Sequence, residues 1–159
     1  MARVDLPAGD DDELLRLYAL SPRMGAAAGN FSAAVYSDSS LPTRVREAAR
    51  IRIAELNDCP VCLDTRTTSD PDGLTEDEYV GMSDWRTLDS LSPREAIAAE
   101  FAERFTTDHL GLDDDFWARA RGVFSDAELF ELAVCCASWV GLGRVTQVFE
   151  AGVSCRIEF

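Results

Sequence analysis

The stretch LPTRVREAARIRIAELNDCPVCLDTR, residues 41–66, decides how this chain folds. Apolar residues recur at helical spacing through its first half, and Pro42 suits a first helical turn. The pattern stops at Asn57, which predicts a helix over residues 42–56. A short second helix, with Pro60 in its first turn, is expected to carry the Cys59-x-x-Cys62 pair. The two helices would form a hairpin if the chain reverses between them.

The remaining sequence is also patterned as helices, because alternating β-branched residues are nearly absent and most turn signals are helix caps. Three capping boxes predict helices that end near residues 82, 107 and 150. These boxes are Thr75-x-x-Glu78, Ser92-x-x-Glu95 and Ser125-x-x-Glu128. Further helices are predicted over residues 11–20, 22–36 and 113–124. We therefore expect one all-α domain over residues 1–159, a helical bundle of seven or eight helices.

Composition narrows the range of partners. The chain has 159 residues, the size of one domain, and 47% of them are hydrophobic, which suffices for an ordinary core. Its net charge of −14 argues against nucleic acid and against an anionic membrane surface. The most apolar run, residues 132–143, is too short to cross a bilayer, and the N-terminal residues lack a signal-peptide pattern. We expect a cytoplasmic protein with reduced thiols.

The Cys59–Cys62 spacing admits more than one interpretation. A structural zinc site needs four Cys or His ligands, usually in two spaced pairs. The other candidates are Cys135, Cys136, Cys155 and His109, which form no second spaced pair. The motif alone leaves two alternatives open. One is a redox pair whose thiolate is stabilised by helix N–H groups; the other is two inert core thiols. Neither alternative requires a metal or a bound cofactor.

Two charged residues flank the pair. Glu47 lies twelve residues before Cys59, next to the apolar face of the preceding helix, and Arg66 lies one helical turn after Cys62. If the chain reverses after residue 56, Cys62 and Arg66 approach Glu47. We expect a carboxylate, a thiol and a cation to converge in one pocket.

The pattern Glu-x11-Cys-x-x-Cys, behind R-x-R-E-x-x-x-x-R-x-A, resembles the carboxymuconolactone decarboxylase superfamily, and within it the alkylhydroperoxidase D-like branch. The segments GLTEDEYVGM, LSPREAIAAEFAERFT and FSDAELFELAVCCASWVGLGRV also resemble the later helices of that family. The similarity extends over residues 13–152. It implies an all-α fold built on a helical hairpin and assembled as a homo-oligomer, such as a dimer, trimer or hexamer.

The resemblance also implies a chemistry. Cys62 would attack a hydroperoxide and become a sulfenic acid, Cys59 would resolve it as a disulfide, and a thiol reductant or a lipoyl-bearing partner would restore the dithiol. Glu47 would serve as the base. The branch typically has a histidine four residues after the second cysteine; here Arg66 stands there, and it can stabilise a thiolate but cannot relay a proton. The alternative is a diverged member that binds or transforms a small molecule without cysteine redox chemistry.

Other residues have simpler expected roles. Adjacent Cys135 and Cys136 are expected in the core, Cys155 at the surface and His109 at a solvated helix end. Trp139 is a candidate for the cavity wall, and Tyr36 for its entrance. The larger aromatic residues are expected in the core or in a subunit interface: Trp85, Trp117, Phe101, Phe105, Phe116 and Phe130.

Overall fold

The structure, a computed structural model, describes residues 2–67 and 73–151. Its regular structure within these ranges is entirely helical, as predicted. The α-helices are α1 Glu13–Ala19, α2 Pro22–Ser37, α3 Thr43–Leu56, α4 Pro60–Asp64, α5 Glu76–Gly81, α6 Pro93–Thr107, α7 Asp114–Arg121 and α8 Asp126–Val148. Two 3-10 helices, Met82–Thr87 and His109–Gly111, complete the set.

Local side-chain chemistry sets where several helices begin. All three predicted capping boxes are present, at the N-termini of α5, α6 and α8. In each box a hydroxyl accepts the N3 backbone N–H and a glutamate accepts the N-cap N–H, which satisfies two amides that would otherwise lack a partner. Asp113 caps α7 in a related way, since its carboxylate accepts the Phe116 N–H.

Helix α3 lies at the centre of the bundle. It packs along α6 and also against α8 and α4, while α2 packs on α8 and α1 packs on α2. Alanines allow α3 and α6 to approach closely, because they add little bulk between the helix backbones. These fully buried alanines are Ala48, Ala49, Ala98, Ala99 and Ala102.

Two hydrophobic clusters occupy two sides of α3. The larger one joins α3, α6, α7 and α8 and includes Phe101, Phe116 and Leu132. The smaller one joins α3 to α5 and the first 3-10 helix through Met82 and Trp85. A third side of α3 remains for charged residues and faces α4.

The chain reverses immediately after α3, as predicted. Asn57 caps the helix, and Asp58 adopts φ 49°, a left-handed conformation that aspartate tolerates better than most residues. The Cys59 N–H then donates to the Ala54 carbonyl at 3.0 Å, which brings the chain back against α3. Helix α4 begins at Pro60 and packs on α3.

Three features differ from the sequence predictions or lie outside the described ranges. The 3-10 helix Met82–Thr87 was not predicted, and Phe130 is 71% exposed and so does not belong to the core. The run at residues 132–143 lies inside the 23-residue helix α8, which by length and composition alone could cross a membrane; a core helix passes the same test. The predicted turn at residues 69–73 and Cys155 lie largely or wholly outside the described residues.

Candidate functional site

The cysteine pair stands at the start of α4. Cys59 is the N-cap residue, and its sulfur accepts the Cys62 backbone N–H at 3.4 Å. The Cα atoms are 5.3 Å apart, within the ordinary range for a disulfide, and the two sulfurs are bonded to each other. Cys59 is buried, whereas Cys62 is half-buried. Of the two sulfurs, that of Cys62 is therefore the more accessible to a reactant.

Both cysteines line a cavity of about 130 Å³. Its wall is contributed by α1, α2, α3, α4 and α8, and it is largely apolar. Trp139 and Tyr36 line it as predicted, and the indole N–H of Trp139 donates to the Tyr36 hydroxyl at 3.1 Å. Because two aromatic side chains stand across from the sulfurs, the cavity suits a small organic molecule with an apolar portion.

Behind the cysteines lies a buried ion pair that the sequence analysis did not anticipate. Glu47 and Arg50, one helical turn apart on α3, are 1% and 5% exposed. Arg50 Nε donates to Glu47 Oε1 at 2.8 Å and Nη2 donates to Oε2 at 2.6 Å, a two-point contact. The Tyr79 hydroxyl donates to the same Oε2 at 2.7 Å. Both carboxylate oxygens are thus occupied.

These contacts determine the ionisation of the group. Burial by itself raises the pKa of Glu47, but the hydrogen bonds and charge of Arg50, helped by Tyr79 and Thr67, outweigh it and lower that pKa. The pKa of Tyr79 is raised by burial and by the adjacent carboxylate. Glu47 is therefore an anion that already has its partners, and it is a weak acceptor for a further proton.

Arg50 also reaches the cysteine helix. Its Nη1 donates to the Cys62 carbonyl at 2.7 Å, and its Nη2 donates to the Thr65 carbonyl at 2.9 Å. Carbonyls at the C-terminal end of a short helix otherwise lack intrahelical donors. Arg50 is also part of the cavity wall. One side chain thus fixes α4 to α3 and places a positive charge beside the pair.

Arg66, expected to approach Glu47 together with Cys62, is paired elsewhere. Its guanidinium makes a two-point ion pair with Glu76, at 3.0 and 2.9 Å, and lies 4.3 Å from the ring centroid of Tyr79. Of the described residues that surround the cavity, Arg50 lines the wall and Arg66 does not. The expected convergence of carboxylate, thiol and cation is present, with Arg50 as the cation.

The remaining expectations can be checked in the described residues. Cys135 and Cys136 are buried in α8, and burial raises the pKa of both thiols. His109 is exposed in the second 3-10 helix, as predicted.

Comparison with known proteins places this architecture. Residues 22–104, slightly more than half of the chain, match the sequence model of the carboxymuconolactone decarboxylase family. The chain belongs to this family. It is 28% identical over 98 residues to the uncharacterized protein YdfG of Bacillus subtilis (strain 168), which covers 60% of this chain and 67% of that protein.

A crystal structure from Agrobacterium tumefaciens shares the fold. The protein is described there as one of unknown function and as a suggested antioxidant defence protein, AhpD. The superposition covers 99% of this chain and 100% of the other with a TM-score of 0.79, at 22% sequence identity. The predicted alkylhydroperoxidase D-like helical fold is confirmed.

Two functional candidates, Arg50 and Tyr79, were missed by the sequence analysis. A signal for Arg50 was available, because residues three apart on a helix are neighbours and Glu47 and Arg50 have opposite charges. The search for a cation looked only beyond the second cysteine. For Tyr79, 32 positions from Glu47, no local pattern gives the contact.

Proposed function

We propose that this protein is a thiol-dependent oxidoreductase that reduces hydroperoxides through the Cys59–Cys62 pair. The observation that supports the proposal is that both sulfurs meet in the wall of one cavity, at a helix start, beside a buried cation. A cation and a backbone N–H donor are the surroundings that favour a thiolate. Membership of the family and the AhpD-like fold are consistent with it.

In the oxidative half of the cycle, the Cys62 thiolate attacks the terminal oxygen of a hydroperoxide. The O–O bond breaks, the alkoxide takes one proton and leaves as the alcohol, and Cys62 becomes a sulfenic acid. The Cys59 thiolate then attacks the Cys62 sulfur. The S–O bond breaks, hydroxide takes a proton and leaves as water, and the disulfide forms. Cys62 receives the attacking role because its sulfur is the more accessible one.

In the reductive half, an external dithiol, such as a lipoyl-type reductant, supplies two electrons. Its thiolate attacks the more accessible Cys62 sulfur, and Cys59 leaves as a thiolate that accepts the Cys62 N–H. A leaving thiol with a stabilised anion departs faster. The second thiol of the reductant then displaces Cys62 and closes the reductant's own disulfide. The cycle needs a compartment that keeps thiols reduced, as the cytoplasm does.

Within this proposal the charged residues act differently from a histidine relay. Glu47, ionised and fully hydrogen-bonded, orients Arg50, while Arg50 supplies positive charge beside Cys62. Arg66 holds the segment after α4 against α5 through Glu76. The thiol proton then passes to solvent or substrate.

The test is a count of free thiols after one equivalent of cumene hydroperoxide or hydrogen peroxide. We expect two thiols per chain to disappear quickly and dithiothreitol to restore them. Cys62→Ser should fail to form the intramolecular disulfide. Cys155→Ser, a cysteine outside the pair, serves as the matched control and should behave as the wild type.

The opposite result has a definite meaning. If Cys59 and Cys62 stay reduced over minutes in excess hydroperoxide, the redox proposal is wrong. The second candidate function then applies, the binding or conversion of a small molecule without redox change. The aromatic lining from Tyr36 and Trp139 favours that candidate, and ligand screening by thermal shift would follow.

A further inference from the structure

The outward face of α8 carries an unusual row of apolar and small residues. They follow one another every three or four positions along the helix, on the side away from the core. We call this row the α8 seam: Ala127, Phe130, Val134, Ala137, Gly141, Val145 and Val148. Phe130 is 71% exposed and Val148 is 70% exposed. The opposite side of the same helix packs into the larger core cluster.

The spacing is that of a helix packed against another helix. Alternating steps of three and four residues keep a stripe on one side of an α-helix, and such stripes interlock with a facing helix. A surface helix of an isolated domain needs only one apolar side. Because α8 has two, the seam is an unpartnered interface rather than ordinary surface.

The middle of the seam is small, which permits close contact. Ala137 and Gly141 are adjacent on the exposed side, one turn apart. A Cβ built at Gly141 would meet nothing within 4 Å, so nothing within the subunit requires a glycine there. Small residues at a crossing point reduce the distance between helix axes.

We propose that the seam binds a second copy of this chain, with the two α8 helices antiparallel and crossing at Ala137 and Gly141. In that register Ala137 of one copy faces Gly141 of the other, and Phe130 faces Val148. The large exposed side chains at the two ends of the seam thus meet each other across the twofold axis. A self-complementary patch is what a twofold homodimer requires.

The distribution of charge selects the antiparallel orientation. The N-terminal part of α8 carries Asp126, Glu128 and Glu131, whereas beyond Glu131 the helix has no carboxylate and one cation, Arg144. An antiparallel pair places the acidic part of each helix near the partner's Arg144, and it also opposes the two helix dipoles favourably. A parallel pair would align acidic residues with acidic residues.

A shallow cleft beside the seam would complete the contact. It has a volume of about 170 Å³, lies between α2 and α8, and is lined by Phe31, Phe130 and Val134. The antiparallel register brings the partner's C-terminal end of α8 to this cleft, where Val145 and Val148 would cover the exposed rings of Phe130 and Phe31. Buried aromatic side chains contribute much of the energy in such interfaces.

The test compares two variants of equal charge change by sedimentation velocity. Ala137→Glu places a carboxylate at the crossing point, and Ala118→Glu places one on an exposed position of α7 outside the seam. We expect the wild type and Ala118→Glu to sediment as dimers or larger even-numbered assemblies. Ala137→Glu should sediment as a monomer with an unchanged circular dichroism spectrum.

A second variant protects the test against misfolding. Arg144→Glu changes only an exposed side chain at the edge of the seam and should weaken association at least tenfold. The proposal is overturned if the wild type is monomeric at high concentration, or if Ala137→Glu keeps the wild-type mass. Binding of a monomeric wild type to neutral phospholipid vesicles would instead identify a lipid surface as the occupant. Thiol oxidation in each variant, measured separately, keeps this outcome distinct from the proposed function.

Discussion

Glu47 is the residue whose environment differs most from its chemical preference. A carboxylate that is 1% exposed pays a large desolvation cost, which only close partners can offset. Arg50 and Tyr79 provide three hydrogen bonds to its two oxygens. The group therefore depends on all of its members, and removal of one leaves another buried without compensation.

We predict that Glu47→Gln lowers the free energy of unfolding by about 3–5 kcal/mol, because it leaves the Arg50 charge buried and unpaired. Urea denaturation measures the change. Glu76→Gln, which breaks the solvent-exposed pair with Arg66, is the matched control and should leave the unfolding midpoint near that of the wild type. Equal effects of the two variants would show that the buried pair contributes no more than the surface pair.

A smaller effect is expected at Tyr79. Tyr79→Phe removes one hydrogen bond to Glu47 while the ring and its packing remain, so the cost should be about 1–3 kcal/mol, the range for a hydrogen bond to a charged group. The same denaturation measurement applies. A loss as large as that of Glu47→Gln would mean that the tyrosine, rather than Arg50, is the main partner of the carboxylate.

At the scale of the helix, α4 depends on a donor that is not its own. The helix has five residues, too few to be stable alone, and Arg50 from α3 accounts for two hydrogen bonds to the Cys62 and Thr65 carbonyls. The position of the cysteines is therefore set by α3. This contact also explains how a cation acts on the pair although Arg66 points away from it.

If the proposed function holds, Arg50→Lys should slow disulfide formation by hydroperoxide roughly tenfold, which corresponds to about 1.4 kcal/mol. Lysine keeps the charge but cannot reproduce the planar, multi-point contact with Glu47, Cys62 and Thr65. The pH dependence of thiol alkylation should shift upward with it. Arg66→Ala is the control, and it should leave both rate and pH profile unchanged; the reverse pattern would restore Arg66 as the cation of the site.

Helix starts were the most predictable elements, because their signals are local. Ser125, for example, is recognisable as an N-cap from the glutamate three residues later. The 3-10 helix Met82–Thr87 carries no comparable signal. Asp84 within it leaves helical geometry, with φ −117° and ψ 45°, while the flanking Met82 and Trp85 are held by the core. Tertiary packing, which a local pattern does not record, fixes that segment.

The cap of α8 gives a prediction at this scale. Ser125→Ala removes the hydroxyl that accepts the Glu128 N–H and should cost about 1 kcal/mol of unfolding free energy. Thermal denaturation with circular dichroism can measure it. Ser37→Ala, at an exposed position in the last turn of α2, should cause no such loss. Similar losses in both would indicate a general serine effect instead of a cap.

For the molecule as a whole, the all-α class, the hairpin of α3 and α4 and the convergence near Glu47 could be predicted from the sequence. They follow from helical periodicity and from a reversal signal at Asn57, which act within short stretches. The exposure of Phe130 could not be predicted, because an apolar residue at helical spacing looks the same whether its partner lies within the subunit or beyond it.

Carboxylates paired with arginines also determine how the whole fold responds to acid. Burial opposes ionisation of Glu78 and Glu103, but hydrogen bonds outweigh it, from Arg44 and the Thr75 N–H to Glu78, and from Arg86, Trp85 and Arg52 to Glu103. Both pKa values fall to about 2. An unfolded glutamate titrates near pH ~4.3. Their stabilisation is therefore complete above that value and is lost as pH falls toward 2.

We predict that the free energy of unfolding by urea is nearly constant from about pH 5 to 7 and declines steeply between about pH 4.3 and 2, the window between the unfolded and folded pKa values. Glu103→Gln tests the assignment, because it removes one titrating group together with its contacts to Arg52 and Arg86. The variant should be less stable than the wild type at neutral pH and should lose less with acid, so the two curves converge near pH 2. Parallel curves would mean that Glu103 binds its proton equally well in both states, and the acid response would then have to come from other carboxylates.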